Sequence, residues 1–256
     1  MQMRPEWEGD PGEIQVHGPG FIVRTYHIRR MARDLRPETL LDIGCGRGNV
    51  TRLVAPYTKR TVAAEISAGA ARLARQTLID CPQVDVLAAD VLALDGGHGP
   101  PLADRFDMVL LSEVLEHLDD DAAALHACHA LLRPGGRLLV SVPAHPHLWT
   151  EMDELIGHRR RYTRAGLVAR LAEAGFEIER LLTWGFPLSG WLVRRGQRLR
   201  ASRLRASTNG SAALALTGRL LPLAAVVFHA AARLELPFSG ADRGVGYVVL
   251  ARRPEH

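Results

Sequence analysis

Leu40-Leu41-Asp42-Ile43-Gly44-Cys45-Gly46-Arg47-Gly48-Asn49 is a hydrophobic run that breaks into three glycines at alternate positions and then resumes a helical period. The order is strand, tight loop, helix. Glycine lets a ligand approach the backbone, and a helix that starts there offers free N–H groups. A dinucleotide loop asks for Gly-x-Gly-x-x-Gly and no acid two positions ahead of it. Here Asp42 fills that position, and Asn49 stands where the third glycine of that fingerprint belongs. The spacing disfavours a nicotinamide oxidoreductase.

Working outward, short apolar runs alternate with amphipathic stretches, the pattern of a parallel sheet with crossover helices. Strands are predicted at Thr39–Ile43, Thr61–Ala64, Val84–Ala89, Phe106–Leu111, Arg137–Val142, Phe176–Trp184 and Gly246–Ala251. Helices are predicted at 20–34, 49–55, 67–79, 121–132 and 163–174, and Arg133-Pro134-Gly135-Gly136 reads as the turn into the fifth strand. Glu65 and Asp90 each close a strand, as Asp42 nearly does. One such acid is usually a solvated loop carboxylate. Three in strand order would share the carboxyl edge of one sheet, where open α/β folds bind ligands.

The chain has 256 residues, 47% hydrophobic and 23% charged, enough for a full core and too apolar for a disordered segment. Its three cysteines, Cys45, Cys81 and Cys128, form no CxxC pair, and with the polar N-terminus they lead us to expect a cytoplasmic protein without a signal peptide. Of 32 basic residues only Lys59 is lysine, and a net charge of +4 does not by itself imply a polyanion partner. Residues 1–36 are expected to form an N-terminal lid helix region, 37–184 with 245–256 the core, and 185–244 a helical substrate cap. The cap holds Arg194, Arg195, Arg198, Arg200, Arg203 and Arg205, then an apolar stretch at 220–232 too short to span a bilayer. Peripheral membrane contact through 191–232 is the competing use of this segment.

Asp42-Ile43-Gly44-Cys45-Gly46-Arg47-Gly48, Glu65, Asp90, Phe106-Asp107-Met108-Val109-Leu110 and Leu132-Arg133-Pro134-Gly135-Gly136 together resemble the class I S-adenosylmethionine-dependent methyltransferases. The likeness runs from about Leu40 to Trp184. It implies an α/β fold with a doubly wound, Rossmann-like seven-stranded sheet whose last strand is antiparallel. It also implies S-adenosyl-L-methionine as cofactor and S-adenosyl-L-homocysteine as product. On this resemblance Asp42, Gly44, Gly46 and Gly48 hold the methionyl part and Cys45 packs within the loop. Glu65, with Ile66 beside it, takes the ribose, and Asp90 with Val91 the adenine. Ser112 and Glu113 line the floor beneath the sulfonium.

A sulfonium methyl is already activated, so a base is needed only when the acceptor must lose a proton. Ser112-Glu113-Val114-Leu115-Glu116-His117-Leu118 follows the fourth strand, and His117 is the expected base, with Glu113 and His158 behind it. Glu-x-x-Glu-His with a later histidine resembles metal-dependent small-RNA 2′-O-methyltransferases, and ubiquinone-biosynthesis O-methyltransferases carry a similar cluster. On that likeness Glu113, Glu116, His117 and His158 would hold a divalent metal. The basic segment around His158 opposes a cation, and no metal is the expectation. The acceptor is expected to be a small or medium-sized biosynthetic metabolite, of natural-product or glycan type, methylated on oxygen before nitrogen or carbon. The competitors are an RNA 2′-O-methyltransferase, a quinone or lipid-linked acceptor at a membrane surface, and a non-catalytic cofactor-binding module. Few aromatics interleave the arginines to stack bases, which argues against nucleic acid.

Overall fold

The computed structural model describes residues 18–90, 106–206 and 221–255. Seven strands, β1 (Thr39–Ile43), β2 (Arg60–Glu65), β3 (Val84–Ala88), β4 (Phe106–Ser112), β5 (Leu132–Pro143), β6 (Glu177–Trp184) and β7 (Gly246–Arg252), form one sheet in the order β3-β2-β1-β4-β5-β7-β6. The first five pair in parallel, and β7 runs antiparallel to both β5 and β6. This is the expected doubly wound sheet with an antiparallel last strand. The central strands are buried on both faces, which is why they read as unbroken apolar runs.

Side-chain alternation divides the core in two. Leu41, Val109, Leu111 and Val140 face α4 (Asp121–Leu131) and α6 (Arg164–Glu173) through Leu125, Cys128, Leu167 and Leu171. Leu40, Met108, Leu110, Leu139, Val248 and Leu250 face the other way. They meet α1 (Pro19–Leu35), α2 (Asn49–Val54), α7 (Ser189–Ala206) and α8 (Leu221–Leu234). The two described helices of the 185–244 segment, α7 and α8, thus pack on this face of the sheet. Residues of α1 and α8 share a core: Val23, Ile28 and Met31 pack with Phe228 and Ala232. Buried Glu235 fastens the segment at its root, accepting hydrogen bonds from the amides of Leu188 and Ser189 and from Ser189 Oγ.

Caps explain the helix starts. Ser67 accepts from the Ala70 amide ahead of α3 (Ala68–Thr77), Asp120 from Ala123, and Thr163 from Gly166. The fifth strand departs from expectation. Arg133-Pro134-Gly135-Gly136 lies within β5 rather than ahead of it. Leu132 pairs with Phe106, the register then slips, and Met108 pairs with Arg137. Pro134 has no N–H to donate, and its neighbours bond sideways, Gly135 N–H to Arg253 O and Arg253 N–H to Gly136 O. The arginine run falls on α7, where Trp191, Leu192 and Leu199 are exposed and Arg195 stacks over Trp191. The side chains of Arg200, Arg203 and Arg205 lie outside the described residues, as does Val91. Among the described residues no helix is long and apolar enough to cross a membrane.

The end of β6 packs without slack against the start of β7: a Cβ at Gly246 would lie 2.4 Å from Trp184 Nε1. Gly246→Ala is expected to destabilise the fold by about 1–3 kcal/mol through overpacking. Urea unfolding checks this, and an unchanged midpoint would show that the indole can move aside.

Candidate active site at the carboxyl edge of the sheet

The strands β1, β2 and β4 end side by side at one edge, and the chain after β1 folds back over them. Gly44, Gly46 and Gly48 all take positive φ (69°, 56° and 78°), the left-handed conformation that suits glycine. A Cβ at Gly44 would meet Val114 Cγ2 at 2.7 Å, so the loop sits directly on the segment after β4. Glu65 at the end of β2 clasps this loop. One carboxylate oxygen accepts from the Gly46 amide at 2.8 Å and the other from the Ser67 amide at 3.0 Å. Each oxygen keeps a second lone pair, so the carboxylate can still accept two ribose hydroxyls.

Asp42 stands near the end of β1, as expected. It is 1% exposed, and its Oδ2 accepts from Thr51 Oγ1 at 2.6 Å. It therefore acts on the loop through α2 and does not line an open cleft. Burial pushes its carboxyl up to about 7, against the Thr51 bond and with help from the charge of Glu65. Cys45 is buried, and burial holds its thiol high, as a packing residue requires. Ile66 and Asp90 are exposed beyond the ends of β2 and β3. A narrow loop of left-handed glycines, a carboxylate with spare lone pairs and an exposed apolar side chain fit a nucleoside with a short charged tail.

The segment after β4 carries the reactive groups. Glu113 adopts φ 57°, unusual for a residue with a side chain, and three contacts hold it there. Its amide donates to Ser141 O at 3.0 Å, Ser141 Oγ donates to Oε1 at 3.1 Å, and Arg24 of α1 pairs with Oε2 at 3.1 Å. Glu116 is 0% exposed, and neither carboxylate oxygen has a hydrogen-bond partner. Burial first, and then the charge of Glu113, raise its carboxyl well above the usual range. His117 and His158 meet edge to face with centroids 4.8 Å apart, and His158 Nε2 lies 3.7 Å from Glu116 Oε1. The ligand-type atoms of Glu116, His117 and His158 all fall within 4.8 Å of one another. Glu113 bonds to Ser141 and Arg24 instead. Burial and the neighbouring His158 lower His117 to about 4, so its imidazole is neutral at pH 7.

Sequence reasoning missed what orients His158. Asp153, on α5 (Glu151–Leu155), accepts from His158 Nδ1 at 2.8 Å and from Arg161 Nε and Nη2, each at 2.9 Å. Burial would raise the Asp153 carboxyl, but bonds from His158 and Arg161 outweigh it and hold the group well below the usual range. With Nδ1 bonded to Asp153, Nε2 is the His158 ring nitrogen that faces Glu116. The available signal was Asp153-x4-His158-x2-Arg161, a turn flanked by complementary charges. It was hidden in a run that resembles a solvated basic face. Arg24 carried no motif at all. His145 and His147 stack on each other, apart from this cluster.

A family model described as a methyltransferase domain matches residues 23–181, more than half of the chain. A probable S-adenosylmethionine-dependent methyltransferase of Mycolicibacterium smegmatis is 30% identical over 63% of this chain and 63% of its own length. A ubiquinone biosynthesis O-methyltransferase of Azotobacter vinelandii is 32% identical over 45% of this chain and 46% of its own. The matched stretch thus spans between about half and two thirds of these relatives. Among solved structures, the [4+2]-cyclase SpnF aligns with a TM-score of 0.60 at 21% identity, over 98% of this chain and 86% of that one. The N-methyltransferase NodS of Bradyrhizobium japonicum, in complex with S-adenosyl-L-homocysteine, aligns at 0.55 and 16%, over 91% of this chain and 87% of its own. At these identities the structures share the fold.

Asp42 makes stability depend on pH with a definite sign. Its folded value, about 7, lies above the ordinary 3.8, so the folded state holds the proton more tightly. Its contribution is complete below pH 4 and is lost as pH rises through 7. Asp42→Asn is expected to remove that share of the decline, so the variant gains on the parent between pH 4 and pH 8. Urea midpoints of both proteins measure this, and a constant difference across the range would place the carboxyl near its ordinary value.

Proposed function

The chain belongs to the methyltransferase-domain family, the class I S-adenosylmethionine-dependent methyltransferases, and we propose that it transfers a methyl group to an oxygen of a small or medium-sized biosynthetic acceptor. The observation that carries this reading is the left-handed glycine loop clasped by Glu65, which keeps acceptor sites for two more donors. The named O-methyltransferase relatives support the oxygen, and the absence of a dinucleotide spacing supports the cofactor.

Bound S-adenosylmethionine supplies a methyl group on a sulfonium, already activated for transfer. Glu65 would hold the ribose and Asp90 the adenine. The Gly44–Gly48 loop would receive the methionyl part, with Ser112 and Glu113 beneath it. What remains for the chain is to align the acceptor and, for a hydroxyl, to remove a proton. His117, neutral at pH 7, would take this proton as the imidazole beside the floor. His158, oriented by Asp153, packs edge to face against the neighbouring ring and turns its Nε2 toward Glu116.

A divalent cation bound by Glu116, His117 and His158 is the second reading, favoured by the two unpartnered oxygens of Glu116. Arg24 and Arg161, whose charges act on Glu116, oppose it. Elemental analysis of the protein with S-adenosyl-L-homocysteine, beside His158→Ala, decides. One ion per chain that the variant loses supports the cation. No ion after incubation with magnesium, manganese or zinc removes this reading.

Glu65→Gln is expected to weaken S-adenosyl-L-homocysteine binding roughly tenfold or more, as loss of charge-assisted bonds to a diol would. Calorimetric titration measures it, and unchanged affinity would put the ribose elsewhere. His117→Ala is expected to lower turnover while leaving that affinity nearly intact. Turnover is read as S-adenosyl-L-homocysteine release with acceptors that share a skeleton and carry either a hydroxyl or an amine. Turnover confined to the amines would overturn the assignment to oxygen.

A further inference from the structure

A second cavity lies at the opposite end of the strand order from β3, against the edge strand β6. It has a volume of about 390 Å³ and is lined by His27, Arg30 and Met31 of α1, Arg180 and Leu182 of β6, and Leu236, Pro237 and Ser239 of the turn after α8. β6 lies three strands from β4 in the sheet, so this space is separate from the carboxyl-edge site.

His27 lines this cavity while 1% exposed, and neither ring nitrogen has a hydrogen-bond partner. Its ring meets Tyr26 edge to face, a packing contact that satisfies no polar atom. A buried donor without an acceptor is costly, and the position on α1 would suit an apolar side chain. Around it the charge is one-sided. The cavity wall holds two guanidiniums and no carboxylate. Arg30 reaches Asp34 only at 3.8 Å, between two largely exposed side chains. The acids of β6 are committed elsewhere, Glu177 to Arg252 and Glu179 to Arg137. Among the described residues no ion pair engages Arg180. The remaining wall, Met31, Leu182, Leu236 and Pro237, is apolar.

We propose that this cavity binds an organic monocarboxylate with an apolar body. The carboxylate accepts the His27 N–H and balances Arg30 and Arg180, while the body covers the apolar wall. A carboxylate meets both requirements at once, since it is an acceptor for the orphaned donor and a counter-charge for the two cations.

The probe is octanoate, titrated by calorimetry into the full chain, with octanol and inorganic phosphate as comparisons. Saturable octanoate binding is expected, at least tenfold tighter than octanol or phosphate. It should weaken about tenfold in Arg180→Gln, whose side chain is exposed and whose loss leaves the fold intact, and similarly in His27→Phe, which keeps the ring volume. S-adenosyl-L-homocysteine affinity should be unchanged in Arg180→Gln. Four results would overturn the site: no saturation in the millimolar range, equal binding of octanol, equal binding in both variants, or displacement of octanoate by S-adenosyl-L-homocysteine.

Discussion

The carboxylate of Glu65 holds the working edge of this protein together. It accepts one amide from the glycine loop after β1 and one from the start of the segment that becomes α3. Two charge-assisted bonds of this kind, about 1.5–3 kcal/mol each, fix a loop that has almost no side chains with which to pack itself. Asp42 does the same work from below. Through Thr51 it fastens α2 to β1, so that the loop is pinned at both ends and left free in the middle. The glycines between can then follow the backbone path that Val114 and Leu78 leave open.

The cluster after β4 departs from good packing practice. Glu113 sits in a conformation that costs a side-chain-bearing residue about 1–3 kcal/mol, and Glu116 is buried without a partner. Such arrangements persist only where the surroundings over-determine them. Here Ser141 grips Glu113 through two separate bonds, Arg24 reaches it from the helix on the sheet's second face, and Arg161 adds positive charge from the α5–α6 connection. A network in which Asp153 binds both His158 and Arg161 keeps the second imidazole from turning. The chain spends its strongest interactions on holding this small group of side chains in place.

How much of this is legible in the sequence depends on the kind of signal. The β1 boundaries match their apolar run, because a strand buried on both faces is its own pattern. Glu65 and the glycines are legible by position in that pattern. The start of β5 is not, since a proline and two glycines read as a turn, and the bonds that Gly135 and Gly136 exchange with the distant Arg253 are invisible in the local sequence. Asp42 is legible by position, whereas its burial and its bond to Thr51 are not, because burial cannot be read from spacing. Asp153 and Arg161 were hidden because opposite charges look like a solvated surface until the fold brings them onto one histidine. Arg24 and His27 lie on a helix whose amphipathic period gives no hint of what its buried polar residues meet.

The placement of β7 has a consequence for how the molecule assembles. Pro143 of β5 waits for Gly246, more than a hundred positions later, and among the described residues β6 has no other neighbour in the sheet than β7. The strand made sixth joins the sheet only through the strand made seventh. During synthesis the N-terminal half of the sheet can close early, while α1 is already made and lacks α8, its main partner on the second face. Such a high separation between contacting residues slows folding and leaves an apolar sheet face and an unpaired edge open to other chains in the meantime. The pairing that completes the sheet thus waits for β7, the last strand made.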